Sequence, residues 1–204
     1  VLRVLAGRDI DIVAGVAASQ VDEAHRHSER GFLSRTTRST RDAIDETYAL
    51  ESTLSAATAT LGAGRDLRIE GSAVVASGDA TLLAGHDVAV EAVRETSQQT
   101  HFSEVSKSGI FASGGLGFTI GSRMNSTDQK TDATTAAKST IGSIDGNVSL
   151  TAGNNYRQVG SDVITPNGNI DVTAKRIDIV EARETSKTVT ETKTKQSGLT
   201  VAVS

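Results

Sequence analysis

Short runs in which apolar and polar residues alternate recur along the chain, among them Ile10-Asp11-Ile12, Leu67-Arg68-Ile69, Val88-Ala89-Val90 and Ile177-Asp178-Ile179. A period of two turns one set of side chains inward and the other outward, so each run predicts a short strand with one buried face. Turn residues stand before them. Ala6-Gly7-Arg8-Asp9, Ala63-Gly64-Arg65-Asp66 and Ala84-Gly85-His86-Asp87 lead into the first three, and Gly146-Asn147, Gly160-Ser161-Asp162 and Gly168-Asn169 introduce similar runs further on. Glycine at such a corner accepts a positive φ, and the Asx side chain is expected to bond the backbone one or two residues on.

The pattern repeats on two scales. Leu61 to Ser97 aligns without gaps on Leu150 to Ser186, an offset of 89 with eleven identities, ending on an unbroken Arg-Glu-Thr-Ser. Ser108-Gly109 recurs at the same offset as Ser197-Gly198, and an earlier partial copy places Ala6-Gly7 on Ala84-Gly85 and Gly31 on Gly109 at an offset of 78. Within a copy, Ala63-Gly64 recurs 21 residues later as Ala84-Gly85. A unit of that size cannot bury its apolar face alone and must stack on neighbours, which predicts an all-β solenoid with one coil per period. Coil blocks are expected at about 1–18, 60–97 and 144–186 of one continuous β-helical segment, 1–204, cut from a longer protein.

Between the blocks lie polar intervals at about 19–59, 98–143 and 187–204, too long for ordinary turns. Thr188-Val189-Thr190-Glu191-Thr192-Lys193 and Phe102-Ser103-Glu104-Val105 alternate as exposed strands, with Gly114 to Gly121 as a flexible return strand. Antiparallel hairpins projecting from the coils are the expectation. Arg41 to Leu54, with Ile44, Tyr48 and Glu51 at helical spacing, competes as a short helix, and Ser126 to Thr140 is polar enough to be mobile.

Composition supports β structure: one Pro, nineteen Gly and no Trp accompany abundant Ala, Val, Ile, Leu, Ser and Thr, which suits narrow stacked layers. A net charge of −4 supplies no global field toward nucleic acid, and no nucleic-acid partner is expected. Without Cys there is no disulfide scaffold, thiolate metal site or thiol catalysis. No apolar run reaches transmembrane-helix length.

Candidate chemistry is sparse. Arg26, Arg30, Arg35, Arg38 and Arg41 place five guanidinium groups within sixteen residues, offset by Glu29 and Asp42. Such a surface suits sulfated glycans, lipopolysaccharide or phosphate, and equally a solvated charged face that needs no ligand. His25 and His27 would share a strand face, but two ligands do not make a metal site. Recurring Asp and Asn read first as corner residues. A catalytic cleft for acidic polysaccharide or a calcium ladder is the other reading, and the Gly-Gly-x-Gly-x-Asp calcium pattern is absent. Gly115-x-Gly117 lacks a strand-turn-helix context, no Gly-x-Ser-x-Gly occurs, and Asn125-Ser126-Thr127 matches a glycosylation sequon. No catalytic constellation, resident metal or cofactor is expected. Membrane insertion of the alternating strands would set Thr, Ser, Lys and Glu against lipid.

The order Ala-Gly-x-Asp-Ile-x-Ile, Gly-Ser-x-Val, Arg-Glu-Thr-Ser and Ser-Gly-Ile-Phe-Ala-Ser-Gly-Gly-Leu-Gly resembles the haemagglutinin repeats of filamentous haemagglutinin and contact-dependent growth inhibition exoproteins. That resemblance implies a right-handed parallel β-helix exported by two-partner secretion through an outer-membrane transporter, which acts on regions absent here. It implies a secreted structural or interaction segment at the bacterial cell surface, an adhesin or a toxin-delivery filament. Its partners would be a receptor or glycan on a host or neighbouring cell, with transient outer-membrane contact. A β-helical polysaccharide lyase or hydrolase is the alternative function.

Overall fold

The computed structural model describes residues 1–114 and 117–201, and among them every regular element is a strand. In the first coil the chain runs through β1 (Leu2–Ala6) and β2 (Ile10–Val13), leaves through β3 (Gly15–Arg30) and β4 (Ser34–Leu50), and returns as β5 (Thr53–Ala56). The second coil is short: β6 (Ala59–Ala63), β7 (Leu67–Glu70) and β8 (Ala73–Ala76). The third repeats the plan of the first, with β9 (Ala80–Ala84) and β10 (Val88–Glu91), then β11 (Val93–Gly114) and β12 (Gly117–Ala137), then β13 (Thr140–Ser143). β14 (Val148–Ala152), β15 (Asn155–Val159) and β16 (Asp162–Ile164) form a second short coil, followed by β17 (Ile170–Thr173), β18 (Arg176–Val180) and β19 (Thr185–Val201).

Equivalent strands stack into parallel sheets in the orders β1-β6-β9-β14-β17, β2-β7-β10-β15-β18 and β5-β8-β13-β16. The long strands form a fourth sheet, β19-β12-β11-β4-β3. Two compact units result. One comprises Val1–Ala18, Thr47–Thr96 and Thr134–Thr185, and the other Ser19–Glu46, Ser97–Ala133 and the segment from Ser186 on.

Register in the first unit explains the sequence period. Leu82 pairs with Leu61 and Leu150, Val88 with Leu67 and Tyr156, and Val74 with Leu54 and Ile141, so like stacks on like through the core. Strand β6 alternates buried and half-buried residues as the binary pattern requires, and Leu61, Ile69, Leu82, Val90 and Ile141 are wholly buried. Burying each such side chain contributes about 1.5–3 kcal/mol of transfer free energy. Tyr156 is the one large aromatic in this aliphatic column; its hydroxyl donates to Gln158 Oε1 at 2.8 Å, and burial pushes its pKa up to about 12.

Both repeat offsets follow from the coils. Gly7, Gly64, Gly85 and Gly153 stack at steps of 57, 21 and 68 residues, and successive pairs of steps span 78 and 89. The inequality is the greater length of β11 and β12 over β3 and β4. Each excursion leaves the same corner, after β2 and after β10. In the short coils that corner is turned by Gly71-Ser72 and Gly160-Ser161 instead, with Gly71 at φ 57° and Gly160 at φ 53°. The other positive-φ glycines, Gly109 (113°) and Gly198 (141°), are also 89 apart, and each lies against the backbone of the neighbouring long strand.

Three expectations need correction. The stacked corner glycines do not adopt positive φ. They are glycine because a Cβ on Gly64, Gly85 or Gly153 would collide with the carbonyl of the glycine one coil earlier. The segment from Arg41 is strand rather than helix, and Ser126 to Ala137 is continuous strand within β12, because backbone pairing with neighbouring strands satisfies these polar segments. Strands β5 (Thr53–Ala56) and β13 (Thr140–Ser143) flank β8 in the third parallel sheet. Of the glycine-rich return strand, Gly115 and Leu116 lie outside the described residues, and Gly117 begins β12.

Candidate functional site

In the first unit the recurring Asp and Asn side chains form two ladders. Asp9 Oδ1 accepts from the backbone N–H of Asp66 (3.3 Å), Asp66 Oδ1 from Asp87 (3.2 Å), and Asp87 Oδ1 from Asn155 (3.0 Å). At another corner Asp79 Oδ1 accepts from Asn147 N (2.8 Å) and Asn147 Oδ1 from Asn169 N (2.9 Å). Each side chain thus satisfies a backbone donor of the next coil, rather than one a residue or two along its own. The corner has no strand partner for those donors, so the Asx oxygen replaces the missing sheet bond.

The ladder brings Asp66, His86 and Asp87 together, with one ligand atom from each lying within 4.8 Å of the others. Their oxygens already have partners. Arg65 Nε lies 3.0 Å from Asp66 Oδ2, and Asn154 Nδ2 donates to Asp87 Oδ1 at 3.0 Å. Burial disfavours the charged form of Asp87, but donation from Asn154 and Asn155 and the nearby His86 outweigh it and hold its carboxyl below the ordinary value. We read this cluster as structural. The pair His25 and His27 faces acids of its own strand, Glu23 at 3.9 Å and Glu29 at 3.3 Å.

The second unit carries the arginines. Arg26 and Arg30 lie on β3, Arg35, Arg38 and Arg41 on β4, and all five are exposed. Arg41 grips Asp22 with two bonds, Nε to Oδ1 at 2.9 Å and Nη2 to Oδ2 at 2.6 Å, and this guanidinium holds the Asp22 carboxyl below its ordinary value. Arg35 Nε donates to Ser28 Oγ at 3.0 Å, and Ser28 Oγ lies 3.1 Å from Thr37 Oγ1. Even-numbered β3 residues therefore meet odd-numbered β4 residues on one face. Period-two alternation puts Arg26, Arg30, Arg35 and Arg41 on that face and Arg38 on the other.

A cavity of about 690 Å³ opens on the same face. Arg26 of β3 and Arg41 of β4 line it, and alternate residues of the next two strands complete it, Thr100 and Phe102 from β11 and Asp128 and Lys130 from β12. Arg30, Arg35 and Arg38 do not line it. Asp128 Oδ1 is buried without a hydrogen-bond partner among the described residues. Sequence reasoning missed Phe102, Asp128 and Lys130 because they stand 60 residues and more from the arginine run, and only the order β12-β11-β4-β3 unites them. Phe102 did stand out as an aromatic in an alternating polar run, which was the available signal.

Comparison with known proteins gives the same family as the sequence pattern. The hemagglutinin repeat matches residues 33–198. The chain is 38% identical over 206 residues to a tRNA nuclease CdiA of Escherichia coli (strain STEC_O31), covering 100% of this chain and 6% of that protein. It is 36% identical over 204 residues to a 16S rRNA endonuclease CdiA of Enterobacter cloacae subsp. cloacae (98% and 6%). It is 35% identical over 201 residues to a deoxyribonuclease CdiA of Dickeya dadantii (strain 3937), again covering 98% and 6%. The chain thus spans about 6% of the length of these relatives. No solved structure matches it. On the match over residues 33–198 and these similarities across nearly the whole chain, the chain belongs to the hemagglutinin-repeat family of filamentous haemagglutinin and contact-dependent inhibition exoproteins.

Proposed function

We propose that the chain is a non-enzymatic structural and interaction segment of a large secreted bacterial surface protein, an adhesin or a contact-dependent toxin-delivery filament. One observation carries this reading: relatives named for three different nuclease activities share this same segment, so the segment is common to proteins whose chemistry differs. The stacked coils, with Asx oxygens engaged in backbone capping, suit a rigid scaffold. The carboxylates that the polysaccharide lyase or hydrolase alternative would draw on first, Asp66 and Asp87, are both engaged in that capping.

The finer architecture is a right-handed parallel β-helix, supported by the handedness that parallel crossovers adopt. The coil blocks, about 1–18, 60–97 and 144–186, form one continuous segment of a longer protein, and the excursions between them are hairpins. Three residues connect β3 to β4, which are neighbours in one sheet, and the side-chain pairs Asp22 with Arg41 and Ser28 with Arg35 have the mirrored spacing of an antiparallel pair. Export uses a two-partner secretion transporter of the outer membrane. Of the five arginines, Arg26, Arg30, Arg35 and Arg41 form the contact surface for a receptor or glycan on a host or neighbouring cell, with transient outer-membrane contact, and Arg38 lies on the opposite face.

Antibody raised against this chain should label intact cells that make the full-length protein. Labelling only after permeabilisation would reject the surface assignment, and turnover of an acidic polysaccharide by the chain would reject the non-enzymatic one.

A further inference from the structure

We propose that the serines Ser52 and Ser139 are latches, each keeping its coil closed while the excursion that leaves from the same corner opens or rearranges. The inference is independent of what the arginine strands contact.

Ser52, Ser72, Ser139 and Ser161 stack one on the next, because the residues that follow them, Thr53, Ala73, Thr140 and Asp162, pair across β5, β8, β13 and β16. Each hydroxyl donates to the carbonyl that ends the second-sheet strand of its own coil: Ser52 to Val13 (2.9 Å), Ser72 to Glu70 (3.0 Å), Ser139 to Glu91 (2.7 Å) and Ser161 to Val159 (2.9 Å). Those four carbonyls belong to residues equivalent in register. A carbonyl oxygen has two lone pairs, and three of the four use the other for a neighbouring coil: Glu70 O accepts from Ala14 N (2.8 Å), Glu91 O from Gly71 N (3.1 Å) and Val159 O from Ala92 N (2.9 Å). The backbone bond therefore stacks coils, and the serine bond joins two strands of one coil.

What lies between the joined residues differs sharply. In the short coils it is a single glycine, Gly71 or Gly160, and that corner is held shut by the chain itself. In the other two coils it is the whole of 14–51 or 92–138. Once such a hairpin opens, the chain no longer holds the corner, and the entropy of a long loop favours parting its ends. The serine bond then remains across the gap. The excursions are also the parts set to open first. Every member of the hydrophobic cluster belongs to the first unit, whereas among the described residues of the second unit only Thr119 and Ser126 are buried. Strands with so few buried side chains lie at the low end of local stability. Ser139 is itself wholly buried, so water does not compete for its bond to Glu91.

Hydrogen exchange of the 204-residue chain, followed by mass spectrometry across a urea series, tests the latch. In the parent chain, amides of the second unit should exchange at urea concentrations where β10 and β13 remain protected about tenfold or more beyond them. Ser139→Ala and Ser161→Ala form a matched pair, since each hydroxyl also accepts the backbone N–H of the preceding coil's serine at 3.3 Å. Ser52→Ala and Ser72→Ala form a second pair, whose hydroxyls make the carbonyl bond alone among the described residues. With the second unit open, protection of the two strands that each serine joins should fall about tenfold or more in Ser139→Ala and Ser52→Ala, and about threefold or less in Ser161→Ala and Ser72→Ala. Coils and second unit exchanging together in the parent chain would overturn the latch. An equal fall within each pair would overturn it too, leaving the serines as ordinary corner hydrogen bonds. Should one variant fail to fold, the other pair decides.

Discussion

Gly85→Ala isolates the packing rule of the coils. At most exposed positions with negative φ, replacing glycine by alanine stabilises a protein by about 0.4–1 kcal/mol, because the unfolded chain loses freedom. Here the new Cβ would strike the Gly64 carbonyl, a backbone atom that cannot rotate away. The coils must then separate at that corner, which weakens Gly85 N to Ala63 O (3.1 Å) and His86 N to Arg65 O (2.7 Å). Two such bonds at about 1 kcal/mol each, with about 2 kcal/mol of overpacking, less the unfolded-state gain, leave a loss of about 3 kcal/mol. Gly142→Ala is the matched control. Its Cβ would find its nearest neighbours at 3.8 Å and 3.9 Å, ordinary contact, so a gain of about 0.5 kcal/mol is expected. Urea unfolding followed by circular dichroism, at a slope of about 2 kcal/mol per molar, should lower the midpoint by about 1.5 M for Gly85→Ala and raise it by about 0.2 M for Gly142→Ala. Equal midpoints for the two variants would refute the close-approach explanation of the glycine column.

Further outcomes follow from neighbouring features. Leu82→Ala, at a fully buried position between Leu61 and Leu150, should cost about 3 kcal/mol in the same urea assay, whereas Leu83→Ala, 41% exposed, should cost about 1 kcal/mol or less. Asp87 has a folded pKa below its unfolded value of 3.8, so its ionised form stabilises the fold above that pH and this contribution is lost as pH falls through the folded value. Asp87→Asn should therefore lose less stability than the parent between pH 7 and pH 3, and parallel urea midpoints would contradict this. In Tyr48→Phe the remaining tyrosine, Tyr156, should ionise near pH 12 by absorbance at 295 nm. Its raised pKa makes the protonated form a stabilising one, fully effective below pH 10 and lost as pH rises through 12.

Stacked coils were legible in the sequence because most side chains that face the core meet another apolar one a coil later, in places the same residue, as Leu61, Leu82 and Leu150 do. The role of glycine was less legible. A positive-φ corner and a close approach of two backbones both demand Gly, and only the three-dimensional fold separates Gly71 from Gly85. Helical spacing of Ile44, Tyr48 and Glu51 was misleading because a strand within a sheet that is polar on both faces imposes little apolar periodicity. The arginine-bearing face was half legible. Local crowding exposed the arginines on β3 and β4, while Phe102, Asp128 and Lys130 join them only through strand order, which no local pattern encodes.

Every second coil carries an excursion, and every complete excursion consists of two long strands. Over two coils, therefore, the parallel sheets and the long-strand sheet each grow by two strands. The smallest piece that can be duplicated or lost without leaving either kind of sheet one strand short is a pair of coils with its excursion, not the 21-residue coil alone. Lineages that lengthen or shorten such a protein should do so by that quantum. A length polymorphism of a single coil should be selected against, even though the core itself would accept it.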